Sequence, residues 1–390
     1  MKTLRDLGDL NGKRVLVRVD FNVPLQNGRV TDDMRIGAAL PTIQELRGRG
    51  ARIVLVSHLG RPKDREASLS LTPVARRLSE LIGAPVRLAP GVVGDDVRAA
   101  VDELGPGGVL LLENVRYEPG ETKNDAELAR ALADLADVYV DDAFGAAHRA
   151  HASTEGVARL VSEHAAGFLL EREVGTLTQV LEDPARPLVS VLGGAKVSDK
   201  IGVIDRFLQT ADTILIGGAM CFPFLAARGH AVGDSLCAEE DVELAARTLE
   251  SVAQARAELL LPVDLVLGDR FAEDANVREI DGVDVPDGWM GLDIGQQTRD
   301  TYADVIAQAG TVFWNGPMGA FELPPFASGT SAVAHAVALA SGTTVVGGGD
   351  SAAALRQFGL DGEVTHLSTG GGATLELIEG KQLPGVEALR

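Results

Sequence analysis

Two lysines follow a pair of glycines near the midpoint of the 390-residue chain, in a stretch that holds Gly193, Gly194, Lys196 and Lys200. The stretch reads as a buried apolar strand, a glycine turn and the start of a helix, whose free N–H groups attract anions. On a helix the two lysines would share one face, where like charges cost roughly a few tenths of a kcal/mol. The spacing therefore predicts an anionic ligand, with a solvated lysine pair on an exposed helix as the alternative.

Two further glycine-rich runs lie near the end of the chain, at 347–349 before Asp350 and at 370–372 before a short apolar run. Asp350 beside a phosphate loop suits Mg²⁺, which prefers carboxylate and phosphate oxygens, although a helix N-cap is the alternative. Residues 347–352 also fit the dinucleotide pattern G-x-G-x-x-A, but no acidic residue closes a second strand at the required distance. The glycines at 370–372 favour a phosphate-binding helix start over a plain tight turn.

Basic residues follow the apolar runs of the first half of the chain, namely Arg35, His58, Arg61, Arg116, His148, Arg149 and His151. A single arginine in such a place is usually a surface residue, but guanidinium groups also clamp carboxylates and phosphates with paired hydrogen bonds. Four arginines beside three histidines favour a site for a compact anion. The His-Arg-Ala-His run lacks the further ligand spacing of a metal site.

Three other features have ordinary structural interpretations. Asp141 and Asp142 could be an acid/base pair, but a solvated loop or N-cap pair is favoured. Cys221, which stands next to Phe222, is most simply a core residue. The second cysteine, Cys237, forms no Cys-x-x-Cys pair with it, which fits a reducing compartment and argues against a zinc site.

The net charge of −20 disfavours non-specific binding of nucleic acid. The charge is uneven, because residues 1–187 hold 24 Lys and Arg against 28 Asp and Glu, whereas residues 188–390 hold 12 against 28. A nucleotide bound by the second half would therefore rely on backbone N–H groups, helix dipoles and a metal ion. The charged start of the chain and the lack of a long apolar run predict a cytoplasmic protein without a signal peptide or membrane span.

Short apolar runs alternate with helix-length segments, which predicts parallel strands covered on both faces by helices. The expected strands are 14–19, 52–56, 85–88, 109–112 and 137–140, then 188–192, 213–216, 263–267, 311–314, 343–346 and 364–367. The expected helices are 35–49, 72–82, 125–135, 238–259 and 331–340. The pattern predicts an α/β fold of two doubly wound, Rossmann-like parallel-sheet domains joined by a hinge helix, with ligands at the carboxyl ends of the strands.

An ordered set of motifs covers essentially the whole chain. They are RVDFNVP at 18–24, TDDMRI at 31–36, SHLGRP at 57–62, ENVR at 113–116, DAFG at 142–145, HRAH at 148–151, GGAK at 193–196 with Asp199 and Lys200, WNGPMG at 314–319 with Phe321 and Glu322, and GGD at 348–350. In this order the motifs resemble those of the phosphoglycerate kinase family. The resemblance implies reversible phosphoryl transfer between 1,3-bisphosphoglycerate and ADP, giving 3-phosphoglycerate and ATP, with Mg²⁺ as cofactor.

The resemblance also implies roles for individual residues. It assigns the glycerate substrate to Asp20, Phe21, Asn22, Arg35, His58, Leu59, Gly60, Arg61, Arg116 and Arg149. It assigns the nucleotide to Lys200, Gly217, Gly291, Asn315, Glu322, Gly348, Gly349, Asp350 and Ser351, with Asp350 on the metal. The catalytic contributions are expected from Arg35, Lys196, Lys200, Gly348 and Gly371.

The domain organisation follows the same resemblance. We expect a substrate domain at 1–170, a hinge at 171–187, a nucleotide domain at 188–374, and a tail at 375–390 that packs back on the first domain. The phosphoryl group would pass in line after the domains close, in a monomer whose partners are small molecules alone. No general base is needed, because the acceptor carboxylate is already ionised at neutral pH.

Three positions depart from the family pattern, which commonly has Asn at position 141, Pro within the segment 296–297 and Thr at position 351. Asp141 adds a negative charge near the anion site, whereas Ser351 keeps a hydroxyl. Two rival functions make different predictions: a nucleotide-dependent dehydrogenase would bind NAD without Mg²⁺, and a two-domain binding protein of periplasmic type would show no turnover.

Overall fold

The computed structural model describes all 390 residues, which form two units. The first unit is Met1–Gly175 together with Gln382–Arg390, and the second is Thr176–Lys381. The tail segment thus belongs to the first unit from Gln382 onward. The domain limits expected from the sequence, 1–170, 171–187, 188–374 and 375–390, stay a prediction.

The first unit is built on a six-stranded parallel sheet with the order β5-β6-β4-β1-β7-β8. Apolar β-branched runs form its central strands, and those runs are buried along their length because helices cover the sheet. The register places Val15 opposite Ile53 on one side and opposite Val138 on the other. A short hairpin, β2 with β3, lies outside the sheet. The strands are β1 (Arg14–Arg18), β2 (Leu25–Gln26), β3 (Arg29–Val30), β4 (Arg52–Val56), β5 (Val86–Leu88), β6 (Val109–Leu111), β7 (Val138–Asp141) and β8 (His164–Ala166).

The helices of the first unit have recognisable start and stop signals. Pro73 stands in the first turn of α2, and Gly83 ends that helix in the left-handed conformation with φ of 62°. Asp125 caps α4 by accepting hydrogen bonds from the N–H groups of Glu127 and Leu128. The helices are α1 (Met34–Gly48), α2 (Thr72–Ile82), α3 (Asp95–Asp102), α4 (Ala126–Ala133), α5 (Val157–Leu160) and α6 (Phe168–Glu182), of which α6 runs on into the second unit.

The second unit has a six-stranded parallel sheet with the order β11-β10-β9-β15-β16-β17. Numbered within that sheet, the order is 3-2-1-4-5-6, which is the Rossmann arrangement. A separate three-stranded antiparallel sheet has the order β13-β12-β14. The strands are β9 (Leu188–Leu192), β10 (Thr213–Ile216), β11 (Glu258–Leu260), β12 (Leu265–Gly268), β13 (Val277–Ile280), β14 (Met290–Ile294), β15 (Thr311–Asn315), β16 (Thr343–Gly347) and β17 (His366–Leu367).

Helices of the second unit cover its parallel sheet, and the buried apolar side chains of β9, β15 and β16 form the core with those of α10 and α11. The helices are α7 (Ile201–Thr210), α8 (Cys221–Ala227), α9 (Glu239–Val252), α10 (Gln296–Ala307), α11 (Ser328–Leu339), α12 (Gly349–Gln357) and α13 (Gly372–Ile378). The last helix of the chain, α14 (Pro384–Glu387), belongs to the first unit, where the N–H of Gly385 donates to the carbonyl of Ala147.

The predicted fold class, two parallel-sheet α/β domains, is confirmed. Two element predictions were wrong. The helix expected at 238–259 ends at Val252, and the apolar residues beyond it form β11 at the edge of the parallel sheet. The run at 263–267 is not a parallel strand, because β12 pairs antiparallel with β13 and β14. Both errors arise because a short apolar run does not reveal its pairing partner.

Candidate active site

In each sheet the chain order of the strands reverses at the first strand of that sheet, and polar residues follow the strands there. In the first unit β1 lies between β4 and β7, and Asp20 follows β1 while His58 follows β4. In the second unit β9 lies between β10 and β15, and Gly193 and Gly194 follow β9. Such reversal points of open parallel sheets form crevices that bind ligands. The topology of each unit therefore favours a site beside the first strand of its sheet.

A hydrogen-bonded chain of side chains occupies the crevice of the first unit. The buried Asp20 accepts a hydrogen bond from the guanidinium of Arg35 at 3.0 Å and one from the backbone N–H of Asn22 at 3.2 Å. The amide oxygen of Asn22 in turn accepts from the N–H of Gly60 at 2.8 Å. Burial opposes ionisation of Asp20, but the neighbouring positive charges keep its pKa below the usual value. This carboxylate therefore fixes the positions of Arg35 and of the loop that begins at Gly60.

Arginines line a wide cavity of about 950 Å³ in the same unit. Arg61, Arg116 and Arg149 contribute to it together with His151. The guanidinium of Arg116 donates to the carbonyl of Gly60 at 2.5 Å, and burial together with nearby arginines lowers its pKa. Because these cations repel one another, their cavity favours an anionic ligand. We call Asp20, Arg35, His58, Arg61, Arg116 and Arg149 the arginine site.

Two histidines near this cavity are neutral at pH 7. Burial and the surrounding arginines lower the pKa of His58 to about 3 and that of His151 to about 4. The Nδ1 atom of His151 lies 3.6 Å from a carboxylate oxygen of Glu121, which is too far for a hydrogen bond. The histidines therefore bring hydrogen-bonding groups to the arginine site, and the arginines bring its charge.

Two residues assigned to the substrate by resemblance are buried, and their backbone groups are already bonded. The N–H of Phe21 donates to the hydroxyl of Ser57 at 2.9 Å. The N–H of Leu59 donates to Asn114 at 3.1 Å, and the amide group of Asn114 donates back to the carbonyl of Leu59 at 2.8 Å. Asn114 belongs to the ENVR motif but was not among the predicted site residues. It also accepts from the N–H of Arg116, so it fixes both loops of the site.

The pair Asp141 and Asp142 is fully buried, so of the two favoured interpretations, a solvated loop or an N-cap pair, the solvated one was wrong. One oxygen of Asp142 accepts hydrogen bonds from the N–H groups of Leu169 and Leu170, which caps the start of α6. Asp141 accepts from the N–H of Ala143 through Oδ1, and its Oδ2 receives no hydrogen bond. Burial raises the pKa of Asp141 to about 6 and that of Asp142 to about 8. Both carboxyls are therefore buried parts of the fold of the first unit.

The crevice of the second unit is built from backbone rather than from charged side chains. The N–H of Gly193 donates to the carbonyl of Asn315, and that of Gly194 donates to the carbonyl of Pro317. A Cβ at Gly193 would lie 2.0 Å from the carbonyl oxygen of Pro317, so no larger residue fits. The N–H of Gly218 likewise donates to the carbonyl of Met318. We call these interlocked loops, 193–194, 217–218, 316–319 and 347–350, the glycine-loop site.

Lys200 lies against two of these loops. Its ammonium nitrogen is 3.4 Å from where a Cβ of Gly194 would be and 3.0 Å from the corresponding point at Gly316. Burial lowers the pKa of Lys200, and the negative charges of Asp350 and Asp199 oppose that shift. The predicted helix carrying both lysines was wrong, because α7 begins only at Ile201 and Lys196 stands exposed in the preceding loop. The two ammonium groups therefore do not share a helix face.

The glycines after β16 begin a helix. Gly348 has a φ of +94° and precedes α12, whose first turn carries Asp350. The side chain of the buried Asn315 donates to the carbonyl of Gly347 at 2.9 Å, and the hydroxyl of Ser351 accepts from the N–H of Gly316 at 2.6 Å. These two side chains join neighbouring loops of the glycine-loop site. Gly371 has a φ of +54° and precedes the short helix α13.

A cavity of about 610 Å³ opens beside the glycine-loop site. Three predicted residues, Gly291, Glu322 and Asp350, line it. Its walls are mostly apolar and include Leu236, Leu265, Phe271 and Met290. The sequence does not reveal these walls, because scattered apolar residues carry no motif. Gly291 is a close-contact position, since a Cβ there would lie 2.1 Å from the ring of Phe222. An apolar cavity bordered by glycine loops suits a nucleotide base beside its phosphates.

The chemistry of the acidic groups fits a metal ion carried by a nucleotide. The structure holds no group of three or more His, Cys, Asp or Glu side chains that could bind a metal ion by themselves. Asp350 is exposed beside the glycine-loop site and lines the cavity. Mg²⁺ is commonly held by one or two carboxylates together with substrate phosphates, so a single carboxylate at this place is compatible with it.

No helix of the chain is both long and apolar enough to cross a membrane. One α/β unit with an arginine-lined cavity and a second with a Rossmann sheet, glycine loops and a buried lysine are features of a nucleotide-dependent phosphotransferase.

Comparison with known proteins identifies the family. The family model for phosphoglycerate kinase matches residues 4–381. The phosphoglycerate kinase of Moorella thermoacetica is 57% identical over 99% of this chain and 98% of its own length, and that of Roseiflexus castenholzii is 54% identical over 100% and 98%. Among solved structures, the phosphoglycerate kinase of Coxiella burnetii has a TM-score of 0.90 at 43% identity, covering 99% of this chain and 98% of its own. That of Pyrococcus horikoshii has a TM-score of 0.82 at 33% identity, covering 100% and 98%.

The chain belongs to the phosphoglycerate kinase family, whose members catalyse a glycolytic phosphoryl transfer between 1,3-bisphosphoglycerate and ADP, with 3-phosphoglycerate and ATP as the products.

Proposed function

We propose that the arginine site binds the glycerate substrate and the glycine-loop site binds the nucleotide in this reaction. The assignment rests on the different lining of the two cavities. Arginines line the cavity of the first unit, whereas the cavity of the second is mostly apolar and bordered by glycines. A glycerate ester is small and carries both a carboxylate and a phosphate, which suits clustered guanidinium groups. A nucleotide has an apolar base and a phosphate chain, which suits an apolar wall beside free N–H groups.

In the first unit, Arg35, Arg61, Arg116 and Arg149 would bind the oxygens of the substrate. Asp20 and Asn22 support this role, because they hold Arg35 and the loop at Gly60 in place. His58 would add an uncharged hydrogen-bonding group. Phe21 and Leu59 would contribute by shaping the loops, since their N–H groups are engaged within the unit.

In the second unit, Gly217 and Gly291 would present their backbone to the nucleotide while Met318 and Phe222 pack against them from within the fold. Glu322 would accept hydrogen bonds from the nucleotide at the exposed rim of the cavity. Gly348 and Gly349 would present the start of α12 to the phosphates. Asn315 and Ser351 support that loop through the hydrogen bonds that join it to its neighbours.

Asp350 would hold Mg²⁺ together with the phosphates of the nucleotide. The bound ion would neutralise part of the phosphate charge during transfer. The proposal requires only one protein carboxylate, because the nucleotide itself supplies the other oxygen ligands.

Catalysis would rest on positioning and on neutralising charge, since phosphoryl transfer to a carboxylate needs no proton removal. Arg35, Lys196 and Lys200 would supply positive charge to the transferred group, and the helix starts at Gly348 and Gly371 would supply backbone N–H groups. Closure of the two domains, with in-line transfer after it, is part of the proposal.

We further propose that the protein acts in the cytoplasm as a monomer whose partners are small molecules. The two cysteines are free, which is compatible with a reducing compartment. Sedimentation equilibrium tests the monomer, because a dimer would have twice the 40.8 kDa mass of the chain.

A steady-state assay tests the assignment of the two sites. ADP formation from ATP and 3-phosphoglycerate, coupled to removal of the acyl phosphate, is measured with and without EDTA for three variants. Arg116→Met should raise the KM for 3-phosphoglycerate roughly tenfold or more, as expected for a lost charged hydrogen bond, and leave the KM for ATP unchanged. Asp350→Asn should raise the Mg²⁺ concentration needed for half-maximal rate and leave the KM for 3-phosphoglycerate unchanged.

The control is Arg98→Met, which removes an arginine that pairs only with Asp95 on the surface of the first unit. It should leave both KM values unchanged. If Arg116→Met altered the KM for ATP alone, or Asp350→Asn that for 3-phosphoglycerate alone, the two sites would have been assigned to the wrong units.

A further inference from the structure

A fully buried arginine contacts His58 of the arginine site but does not line the cavity. Arg18, the last residue of β1, is 1% exposed, and arginine is almost never buried to this extent without partners. Its Nε donates to the hydroxyl of Ser153 at 2.8 Å, one terminal nitrogen donates to the carbonyl of Val19, and the other lies 3.2 Å from Nδ1 of His58. All three nitrogens of the guanidinium are thus engaged inside the unit.

The charge of Arg18 is balanced through a hydroxyl group. Glu121 is fully buried, and its carboxylate accepts from the backbone N–H of Ser153 at 3.0 Å and from its hydroxyl at 2.6 Å. Because that hydroxyl donates to Glu121, it must accept from Arg18, so Ser153 links the two buried charges. The link fixes the orientation of the guanidinium and, with it, the terminal nitrogen that faces His58.

The contact with Arg18 determines which nitrogen of His58 carries the proton. A guanidinium has only donors, so the Nδ1 atom that faces it must be an acceptor. A neutral imidazole with Nδ1 free of hydrogen has its proton on Nε2. The other charged groups near the ring are Asp20, whose Oδ1 lies 3.9 Å from Nδ1 and beyond hydrogen-bond distance, and the cations Arg35 and Arg116. The cations around the ring disfavour a second proton.

We propose that Arg18 is a positioning residue that holds His58 in its neutral Nε2–H form, so that His58 offers an anionic substrate a hydrogen-bond donor of fixed identity. The inference rests on the proposed role of His58 in binding the glycerate. It gives Arg18 a function distinct from that of the other arginines: it acts on the substrate through a histidine, whereas they act through their own charge.

Nitrogen NMR of the unmodified protein tests the tautomer without any substrate. The chain is labelled with ¹⁵N-histidine, and long-range ¹H–¹⁵N spectra are recorded between pH 8 and pH 5, with His58→Gln used to assign the signals. We expect the pattern of a neutral Nε2–H ring for His58 across this range. A doubly protonated ring at pH 5, or an Nδ1–H ring at any pH, would overturn the proposal.

Variants of Arg18 test whether this residue sets the tautomer of His58. The pair Arg18→Met with Glu121→Gln removes both buried charges together, so that neither is left uncompensated. His58 should then populate both tautomers, and the KM for 3-phosphoglycerate should rise about tenfold, the cost of one weakened hydrogen bond to a charged group, while kcat and the KM for ATP stay within about threefold. The single variant Arg18→Lys keeps a hydrogen-bond donor at this position, so His58 should show the Nε2–H pattern of the unmodified protein. The control is Arg52→Met, since Arg52 begins the neighbouring strand and bonds only the carbonyl of Gly12.

The outcomes separate this inference from the proposed function. If the double variant folds and His58 keeps a pure Nε2–H ring, Arg18 does not set the tautomer, although the assignment of the arginine site stands. If His58→Gln leaves the KM for 3-phosphoglycerate unchanged, His58 is not part of the substrate site and the function proposed for it fails. If the double variant does not fold, the pH series on the unmodified chain decides the tautomer.

Discussion

The two units build their candidate anion sites by different means. The arginine site relies on side-chain charges, and it contains the buried Asp20, the neutral His58 and Arg116, whose pKa is lowered by burial and by neighbouring arginines. The glycine-loop site relies on backbone groups held by close contacts between glycines, with Lys200 as its buried cation. The charge distribution follows this division, because residues 188–390 hold half as many Lys and Arg as residues 1–187. A site made of several charged side chains can lose one of them and keep the others, but burying those charges costs free energy. A site made of backbone groups depends on every contact that holds its loops together.

The comparison predicts that the loss of one cation has unequal effects in the two units. Lys200→Met should lower kcat about a thousandfold, the range found when a preorganised charge is removed from a transition state, with little loss of stability because a buried cation is removed. Arg61→Met should change kcat/KM only about tenfold, since other guanidinium groups line the same cavity. Steady-state kinetics and urea unfolding are measured for both variants. Equal losses of kcat/KM would contradict the difference in redundancy.

A methyl group added to the glycine-loop site should be severely disruptive. Gly193→Ala would place a Cβ 2.0 Å from the carbonyl oxygen of Pro317, so the loops after β9 and β15 would have to separate. We expect a loss of about 3 kcal/mol in the free energy of unfolding and weaker ATP binding, as for an overpacked core. Denaturant unfolding and calorimetric titration with ATP measure the two effects.

The matched control for that change is Gly362→Ala in the same unit, where a Cβ would meet nothing within 4 Å. It should alter the free energy of unfolding by less than about 0.5 kcal/mol. If both variants had the same stability, the glycine contacts would not hold the loops together.

The buried carboxyl of Asp141 shows how burying a charge in the first unit lowers the free energy of unfolding. Burial raises the pKa of Asp141 to about 6, so the folded chain binds a proton there more tightly than the unfolded chain does. Its contribution to stability is therefore fully present below about pH 4 and is lost as the pH rises through about 6. Asp141→Asn should remove this loss and make the protein more stable than the parent at pH 8 by about 2 kcal/mol, with a smaller difference at pH 4.

Chemical unfolding at several pH values checks this expectation. Asp134→Asn, at an exposed position in the same unit, makes the same change of charge and should leave the free energy of unfolding within about 0.5 kcal/mol of the parent. If Asp141→Asn were less stable than the parent at pH 8, the carboxylate would be a favourable part of the fold.

The sequence predicted the features that are local in the chain. Apolar runs and glycine clusters located most parallel strands and the loops after them, because a buried strand and a close backbone approach each leave a mark within a few residues. The positions of Asn114, Ser153 and Glu121 could not be predicted, since their hydrogen bonds join segments distant in the chain. The burial of Asp141 and Asp142 was missed for the same reason. A carboxylate pair after a strand has the same sequence whether water or a helix start covers it.

The apolar wall of the cavity beside the glycine-loop site provides the smallest of the expected effects. Phe271 lines the cavity and is 58% exposed, so a base that packed on it would bury only part of the ring. Phe271→Ala should raise the KM for ATP about threefold to tenfold, equivalent to roughly 1 kcal/mol of lost apolar contact, and leave the KM for 3-phosphoglycerate unchanged. A comparison of ATP with GTP sharpens the test, because the loss of a non-directional contact should weaken both nucleotides alike. If the variant lost discrimination between the two bases, the wall would determine specificity, and the glycine-loop site would depend on a side chain as the arginine site does.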